Sequence, residues 1–295
     1  MTKEITILDG GMGQELYRRF GKPASPLWSA QVMLDSPELV IGLHCDFIDA
    51  GAEVITLNAY AVTPERLERD AEISLFEPLQ KAALQAAITA REKANKPIII
   101  AGCLPPLVAS YYPELVPDDT QCLSSYRRIV ELQAPGVDLF IGETLSSVRE
   151  AAVVCRAALD AGKPIWISYT VDDMDGTRLR SGELLQSGVD AAIEAGAEAV
   201  LVNCSMPEAV GRAMAVLSGS GVRFGGLANG FTSIAALAPG GIVDSLNARD
   251  DLGPSAYANH AMKWCGHGAT LIGGCCEIGP GHIAEIRQRV GLLAD

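Results

Sequence analysis

Eight short runs of β-branched and aliphatic residues recur along the chain with longer helix-like stretches between them, and this alternation constrains the fold more than any other feature. The runs cover residues 5–9, 53–58, 97–102, 137–143, 164–170, 198–204, 223–229 and 269–275. Most are apolar on consecutive residues, which is the pattern of strands covered on both faces in a parallel sheet. Eight βα units account for nearly all of the 295 residues, and a closed (β/α)8 barrel of about 250 residues takes that number. An open doubly wound sheet also alternates strand and helix, but eight units are many for it. The expectation is an α/β fold, a TIM-type barrel forming one domain over residues 1–295.

The helix ends support this reading. Ser36, Pro37 and Glu38 give an N-cap, a proline in the first turn and an acid near the positive end of the helix. Ala-Gly recurs before strands at Ala50-Gly51, Ala161-Gly162 and Ala195-Gly196, predicting a shared helix-to-strand turn with glycine as the left-handed stop. Residues 65–94 read as a long helical stretch broken near Pro78. Two segments resist the pattern: 104–119, rich in proline and tyrosine, and 229–253, which mixes glycine with small residues. Each follows a strand end and is expected to form an enlarged loop on the catalytic face.

Composition narrows the partners. A net charge of −13 repels phosphate backbones and anionic lipid, so no nucleic acid or membrane partner is expected. No apolar run approaches the length needed to span a bilayer, and the first residues lack the apolar stretch of a secretory signal, so a cytoplasmic location is expected. The eight cysteines lack framework spacing, consistent with a reducing compartment. A barrel with exposed apolar helix faces is compatible with a homo-oligomer.

In a barrel, all strands point their C-terminal ends at one mouth, where side chains remote in sequence converge. The first strand ends in Asp9-Gly10-Gly11-Met12-Gly13, the second in Asn58-Ala59-Tyr60, and the fourth in Gly142-Glu143-Thr144. The sixth ends in Asn203-Cys204-Ser205 and the eighth in Gly273-Gly274-Cys275-Cys276. Three cysteines therefore lie at two strand ends. Thiolates are soft ligands suited to zinc, and a catalytic zinc takes three protein ligands with one position left for substrate. Adjacent cysteines normally point to opposite sides of a strand, so a turn permitted by Gly273 and Gly274 is needed to aim both at one ion. Taken alone, a Cys-Cys pair also fits two buried thiols or a disulfide, and an acid at a mouth also fits a helix cap or a lysine pair.

The chain resembles the homocysteine S-methyltransferases, a family that includes S-methylmethionine- and betaine-dependent enzymes. The resemblance runs from Asp9 to Ile283 and rests on Asp9-Gly10-Gly11, Val202-Asn203-Cys204, and Gly273-Gly274-Cys275-Cys276 followed by Pro280, His282 and Ile283. It implies a zinc ion held by Cys204, Cys275 and Cys276, with no catalytic residue separate from those ligands. It further implies that Asp9 and Glu143 hold the homocysteine ammonium, that the amides of Gly10, Gly11 and Met12 stand near the substrate carboxylate, and that Asn203 lies with the substrate residues. The implied reaction moves a methyl group from a small onium donor to the thiol of homocysteine, giving methionine. A free thiol of pKa about 8.5 is a weak nucleophile at neutral pH, and coordination to zinc removes its proton.

This chain departs from the family in one place. Many members carry a Gly-Ser/Ser-Val-Gly type segment with an aromatic after the third strand, whereas here the residues are Gly102-Cys103-Leu104-Pro105-Pro106. That loop covers the donor side. S-methylmethionine or S-adenosylmethionine is the expected donor, because the chain reads as one compact barrel without the added modules of other members. Betaine, dimethylsulfoniopropionate and a selenocysteine acceptor stay open, as does a non-catalytic zinc- or thiol-binding barrel. Trp28, Tyr60, Tyr111 and Tyr112 are candidates for a donor pocket, since aromatic faces attract cations, and equally for ordinary packing. Cys45, Cys103, Cys122, Cys155 and Cys265 read as structural, and His282 reads as a cap or packing residue of the last helix.

Overall fold

The alternation of apolar runs builds one eight-stranded parallel sheet, seen here in a computed structural model that describes residues 4–21, 27, 29–237 and 246–293. The strands are β1 (Thr6–Ile7), β2 (Val54–Thr56), β3 (Ile99–Leu104), β4 (Leu139–Leu145), β5 (Ile165–Tyr169), β6 (Ala199–Asn203), β7 (Arg223–Leu227) and β8 (Leu271–Ile272). Each falls on one of the eight predicted runs, with ends shifted by up to three residues. Their order is β1-β8-β7-β6-β5-β4-β3-β2. A parallel bridge between Leu8 and Val54, with Asp9 N–H donating to the Val54 carbonyl, joins β1 to β2 and closes the barrel.

The strands are apolar on both faces because each face has a hydrophobic destination. Leu8, Val54, Ala101, Leu139, Ile141, Trp166, Ala199, Leu201, Leu227 and Leu271 form one buried cluster drawn from all eight strand regions, which only the barrel interior permits. Their neighbours Ile7, Ile55, Ile100, Phe140, Ile167, Val200 and Val202 join the larger cluster between sheet and helices. Side chains alternate faces along a strand, so this in-and-out division follows from the sequence once the barrel closes. Among the described residues, no helix is long and apolar enough to cross a membrane.

The three Ala-Gly pairs end helices as predicted. Ala50, Ala161 and Ala195 cap the helices Pro37–Asp49, Val148–Asp160 and Leu185–Glu194, and the glycines that follow have φ of +113°, +70° and +96°. Two local expectations need correction. Ser36 precedes its helix but makes no side-chain cap hydrogen bond. The stretch 65–94 breaks at Ala71 and Glu72, between the helix Pro64–Asp70 and a 3-10 turn at Ile73–Leu75. Pro78 instead sits in the first turn of Phe76–Lys93, where its missing N–H has no carbonyl to serve.

Three loops enlarge the mouth at the C-terminal ends of the strands. Two are the predicted segments after β3 and β7, of which residues 238–245 lie outside the described residues. The third, residues 170–184 after β5, was not anticipated. It folds back on itself through Val171–Leu179 and Arg178–Leu184 bridges, and the Asp172 carboxylate accepts the N–H groups of Met174 and Asp175. Asp173 ties it to the neighbouring loop, accepting the Met206 N–H at 2.8 Å and pairing with Arg180 at 3.0 Å.

Candidate active site

At the mouth, the sulfurs of Cys204, Cys275 and Cys276 all lie within 4.8 Å of one another. The Cys204 and Cys276 sulfurs are 3.9 Å apart. Two thiolates each about 2.3 Å from a tetrahedral zinc stand roughly 3.8 Å from each other, so the cluster has the donor type and the spread such an ion needs. The three thiols interact strongly. Hydrogen bonds from Cys275 and Cys276 hold the Cys204 thiol well below the usual range, and proximity to the Cys204 sulfur holds the other two well above it.

Backbone geometry aims these sulfurs. Cys204 follows the last residue of β6 and takes φ of +49°, a left-handed conformation uncommon for a residue with a β-carbon. Its N–H donates to the Leu227 carbonyl and its carbonyl accepts the Thr170 hydroxyl, which hold that geometry between β5 and β7. After β8, Cys275 donates its N–H to Ala228, and Ile278 N–H closes a turn on the Cys275 carbonyl. The left-handed residue of this turn is Glu277, φ +67°, not either of the preceding glycines. Gly10 and Gly11 serve close approach to this same turn. A β-carbon on Gly10 would meet the Ile278 carbonyl oxygen at 2.1 Å, and one on Gly11 would meet the Cys275 carbonyl oxygen at 2.5 Å. The opening motif and the cysteine pair are therefore packed backbone to backbone. The Gly11 N–H is already committed to the Ile278 carbonyl at 2.9 Å, whereas Met12 begins the helix Met12–Phe20, where N–H groups lack helical acceptors.

Asp9, buried, and Glu143, half-buried, form a second cluster of acids. Asp9 is 3% exposed, and its carboxylate accepts the Thr56 N–H at 2.7 Å. Burial pushes its carboxyl up to about 8 against the opposing pull of that hydrogen bond, with the nearby Glu143 charge pushing the same way. Burial likewise lifts Glu143 to about 7. Desolvation raises both carboxyls, with a nearby negative charge adding to it, Glu143 for Asp9 and Cys204 for Glu143, so the pocket attracts a cation. The Glu143 Oε2 accepts a hydrogen bond from the Cys103 thiol at 2.9 Å. Cys103, read from sequence as a core thiol, thus belongs to the site. Nothing in the sequence marked it, since Cys103 lies inside the apolar strand β3.

Asn203 braces the end of β4. Its Oδ1 accepts the Thr144 N–H at 2.9 Å and the Ser168 hydroxyl at 2.8 Å, while its Nδ2 donates to the Thr144 hydroxyl at 2.8 Å. Thr144 has φ of +58°, where the β4–β5 register shifts, so Asn203 holds the strained residue next to Glu143.

Among the aromatic candidates, Tyr60 bonds Ser110 at 2.7 Å and lies under the Arg66 guanidinium, and Tyr111 lies under Arg180. Tyr112 is turned to the Leu237 carbonyl, and Trp28 lies outside the described residues. His282 caps as expected, its Nδ1 accepting the Gly279 N–H. Cys45, Cys122, Cys155 and Cys265 lie in helices around the barrel, and all eight cysteines are free.

A family model described as Homocysteine S-methyltransferase matches residues 6–290. Homocysteine S-methyltransferase 3 of Zea mays is 26% identical over 322 residues, spanning 96% of this chain and 89% of that protein. Selenocysteine Se-methyltransferase of Brassica oleracea var. italica is 25% identical over 334 residues, spanning 98% and 90%. Among solved structures, the oxidized form of the Escherichia coli homocysteine methyltransferase MmuM superposes with a TM-score of 0.80 at 25% identity, covering 97% of this chain and 96% of that one.

Proposed function

The chain belongs to the homocysteine S-methyltransferase family and is a methyltransferase acting on homocysteine, and from that premise we propose that it is zinc-dependent and takes its methyl group from a sulfonium donor, S-methylmethionine or S-adenosylmethionine. The observation that carries the zinc reading is the convergence of three thiols within 4.8 Å from two strand ends. Cys204, Cys275 and Cys276 would hold the ion, leaving one position open to substrate. Zinc bound there would supply a Lewis acid that lowers the pKa of a coordinated substrate thiol, so that the thiol releases its proton to solvent and is a thiolate nucleophile at neutral pH.

The rest of the reading concerns this chain's own groups. Residues 1–295 act as one homocysteine-binding domain. Asp9 and Glu143 face the substrate ammonium, whose positive charge offsets the desolvation that raises both carboxyls. The N–H of Met12 faces the carboxylate, supported by its place at a helix N-terminus. Gly10 and Gly11 let the backbone approach, and Asn203 fixes Glu143 through Thr144. With both ends of the amino acid fixed, its sulfur is aimed at the methyl carbon. A new carbon–sulfur bond forms as the donor's carbon–sulfur bond breaks, and the electron pair leaves on the donor sulfur as a neutral thioether. That leaving group needs no acid, and none of the three ligating side chains is one. Tyr60 and Tyr111 present aromatic surface suited to an onium centre.

Betaine or dimethylsulfoniopropionate would serve the same chemistry, and a selenol acceptor has support from the selenocysteine Se-methyltransferase relative. The experiment is metal analysis of the reduced protein together with methionine formation from homocysteine and each of the four donors. One zinc per chain and methionine from S-methylmethionine or S-adenosylmethionine is the expected result. Reduced protein without zinc would overturn the metal reading, and turnover with betaine or dimethylsulfoniopropionate alone would overturn the donor.

A further inference from the structure

The Cys103 thiol lies 2.9 Å from Glu143 Oε2, and among the described residues this is the one hydrogen bond the Glu143 side chain makes. We propose that Cys103 is a positioning residue, its thiol pinning Oε2 so that Oε1 is presented to the substrate ammonium. The proposal rests on the reading of Glu143 as an ammonium ligand.

Two features beyond the contact distance support it. Cys103 sits in a clamped stretch of β3: its N–H donates to Gln133 Oε1 at 2.9 Å, and its carbonyl accepts from Gln133 Nε2 at 3.2 Å. Gln133 in turn donates to Gln80, which donates to the Val62 carbonyl, and both glutamines are fully buried. A fully satisfied buried polar chain of this kind specifies one arrangement. A core methyl group would not need such control of the backbone. Second, burial and the Glu143 charge both raise the Cys103 thiol well above its ordinary range, so it stays a donor at working pH. A thiol is a weak donor. It suffices to orient the carboxylate.

The test measures methionine affinity by calorimetry on zinc-loaded protein for Cys103→Val, Cys103→Ala, Cys103→Ser, Glu143→Gln and the Cys103→Val/Glu143→Gln double variant. Valine fills the space without a donor, so it reports even where alanine fails to fold. Expected are a methionine Kd raised on the order of ten-fold in Cys103→Val, the scale of one hydrogen bond to a charged group, with a parallel rise in homocysteine KM. The zinc content should be unchanged and kcat at saturation within about three-fold. Serine should restore affinity, and valine should add nothing once Glu143 is Gln. Unchanged affinity in Cys103→Val while Glu143→Gln weakens binding overturns the role of Cys103 alone. So does a serine variant as weak as valine, or an additive double variant. Unchanged affinity in Glu143→Gln overturns the reading of Glu143 and the proposal with it.

Discussion

Cys204 and Cys276 are 72 residues apart in the chain, yet their sulfurs stand 3.9 Å from each other. The left-handed backbone at Cys204 and the turn closed by Ile278 on Cys275 produce this approach. Cys276 is partly exposed at the mouth, so its side chain is not part of the packed interior.

Cys276→Ala should therefore abolish zinc retention and turnover while leaving the fold nearly intact. Metal content, turnover and thermal unfolding check this together, with Cys155→Ala as the contrast. Cys155 is fully buried in a helix, so its truncation should cost stability and leave zinc stoichiometry at wild-type level. Full activity in Cys276→Ala would sink the zinc assignment.

Gly10→Ala should act on the proposed zinc site from outside it. The added methyl meets the Ile278 carbonyl oxygen at 2.1 Å and a Phe47 ring carbon at 2.9 Å, and neither backbone nor packed core gives way freely. Overpacking of this kind costs about 1–3 kcal/mol, and the strain falls on the turn that carries Cys275 and Cys276. Lower unfolding temperature together with weaker zinc retention is expected. A variant of wild-type stability and metal affinity would show that this close packing is not required.

How much of this was legible in the sequence depended on whether a signal was local. The eight strands were readable because runs buried on both faces are apolar at consecutive positions, and the Ala-Gly stops were readable because glycine alone takes their φ without strain. The break after Asp70 was misplaced to Pro78, because proline breaks a helix interior but is tolerated in a first turn. The loop 170–184 carries its order in Asp172 turns and long-range ties to Met206, which leave no periodic trace. The cysteine triad stood out because all three lie at strand ends. Cys103 did not, since a thiol inside an apolar strand looks like any small hydrophobe until its partner across the sheet is known. The left-handed residues Cys204, Thr144 and Glu277 were equally hidden, since none is the residue type that prefers that backbone.

Asp9→Asn should change the pH dependence of stability in a predictable direction. The Asp9 carboxyl is raised to about 8 in the folded protein from an ordinary value near 3.8. Folding therefore binds a proton between those limits, and the stability Asp9 contributes is full below about pH 4 and lost as pH rises through 8. Asparagine has no proton to lose. The variant should gain on wild type as pH increases from 5 to 8, with a slope approaching about 1.4 kcal/mol per pH unit, and then level off. Other titrating groups, His44 and the thiol cluster included, are common to both proteins and largely cancel. Parallel melting curves from pH 5 to 9 decide it, and a constant offset would mean that Asp9 is not held protonated.

Methionine binding should release protons at pH 7. Asp9 and Glu143 are raised to about 8 and about 7 by burial, so at neutral pH the empty pair is partly protonated. An ammonium placed between them favours both charged forms, lowers both values, and drives the remaining protons into solvent. Methionine suits this experiment better than homocysteine because its thioether has no proton to lose, so any release comes from the protein. Calorimetry in buffers of different ionisation enthalpy gives the proton count directly. Wild type should release a measurable fraction of a proton per methionine, more at pH 6.5 than at pH 8.5, where the carboxyls are already largely ionised. Glu143→Gln should bind more weakly and release less. Binding with no proton release at any pH in this range would mean that the ammonium does not sit against these carboxylates.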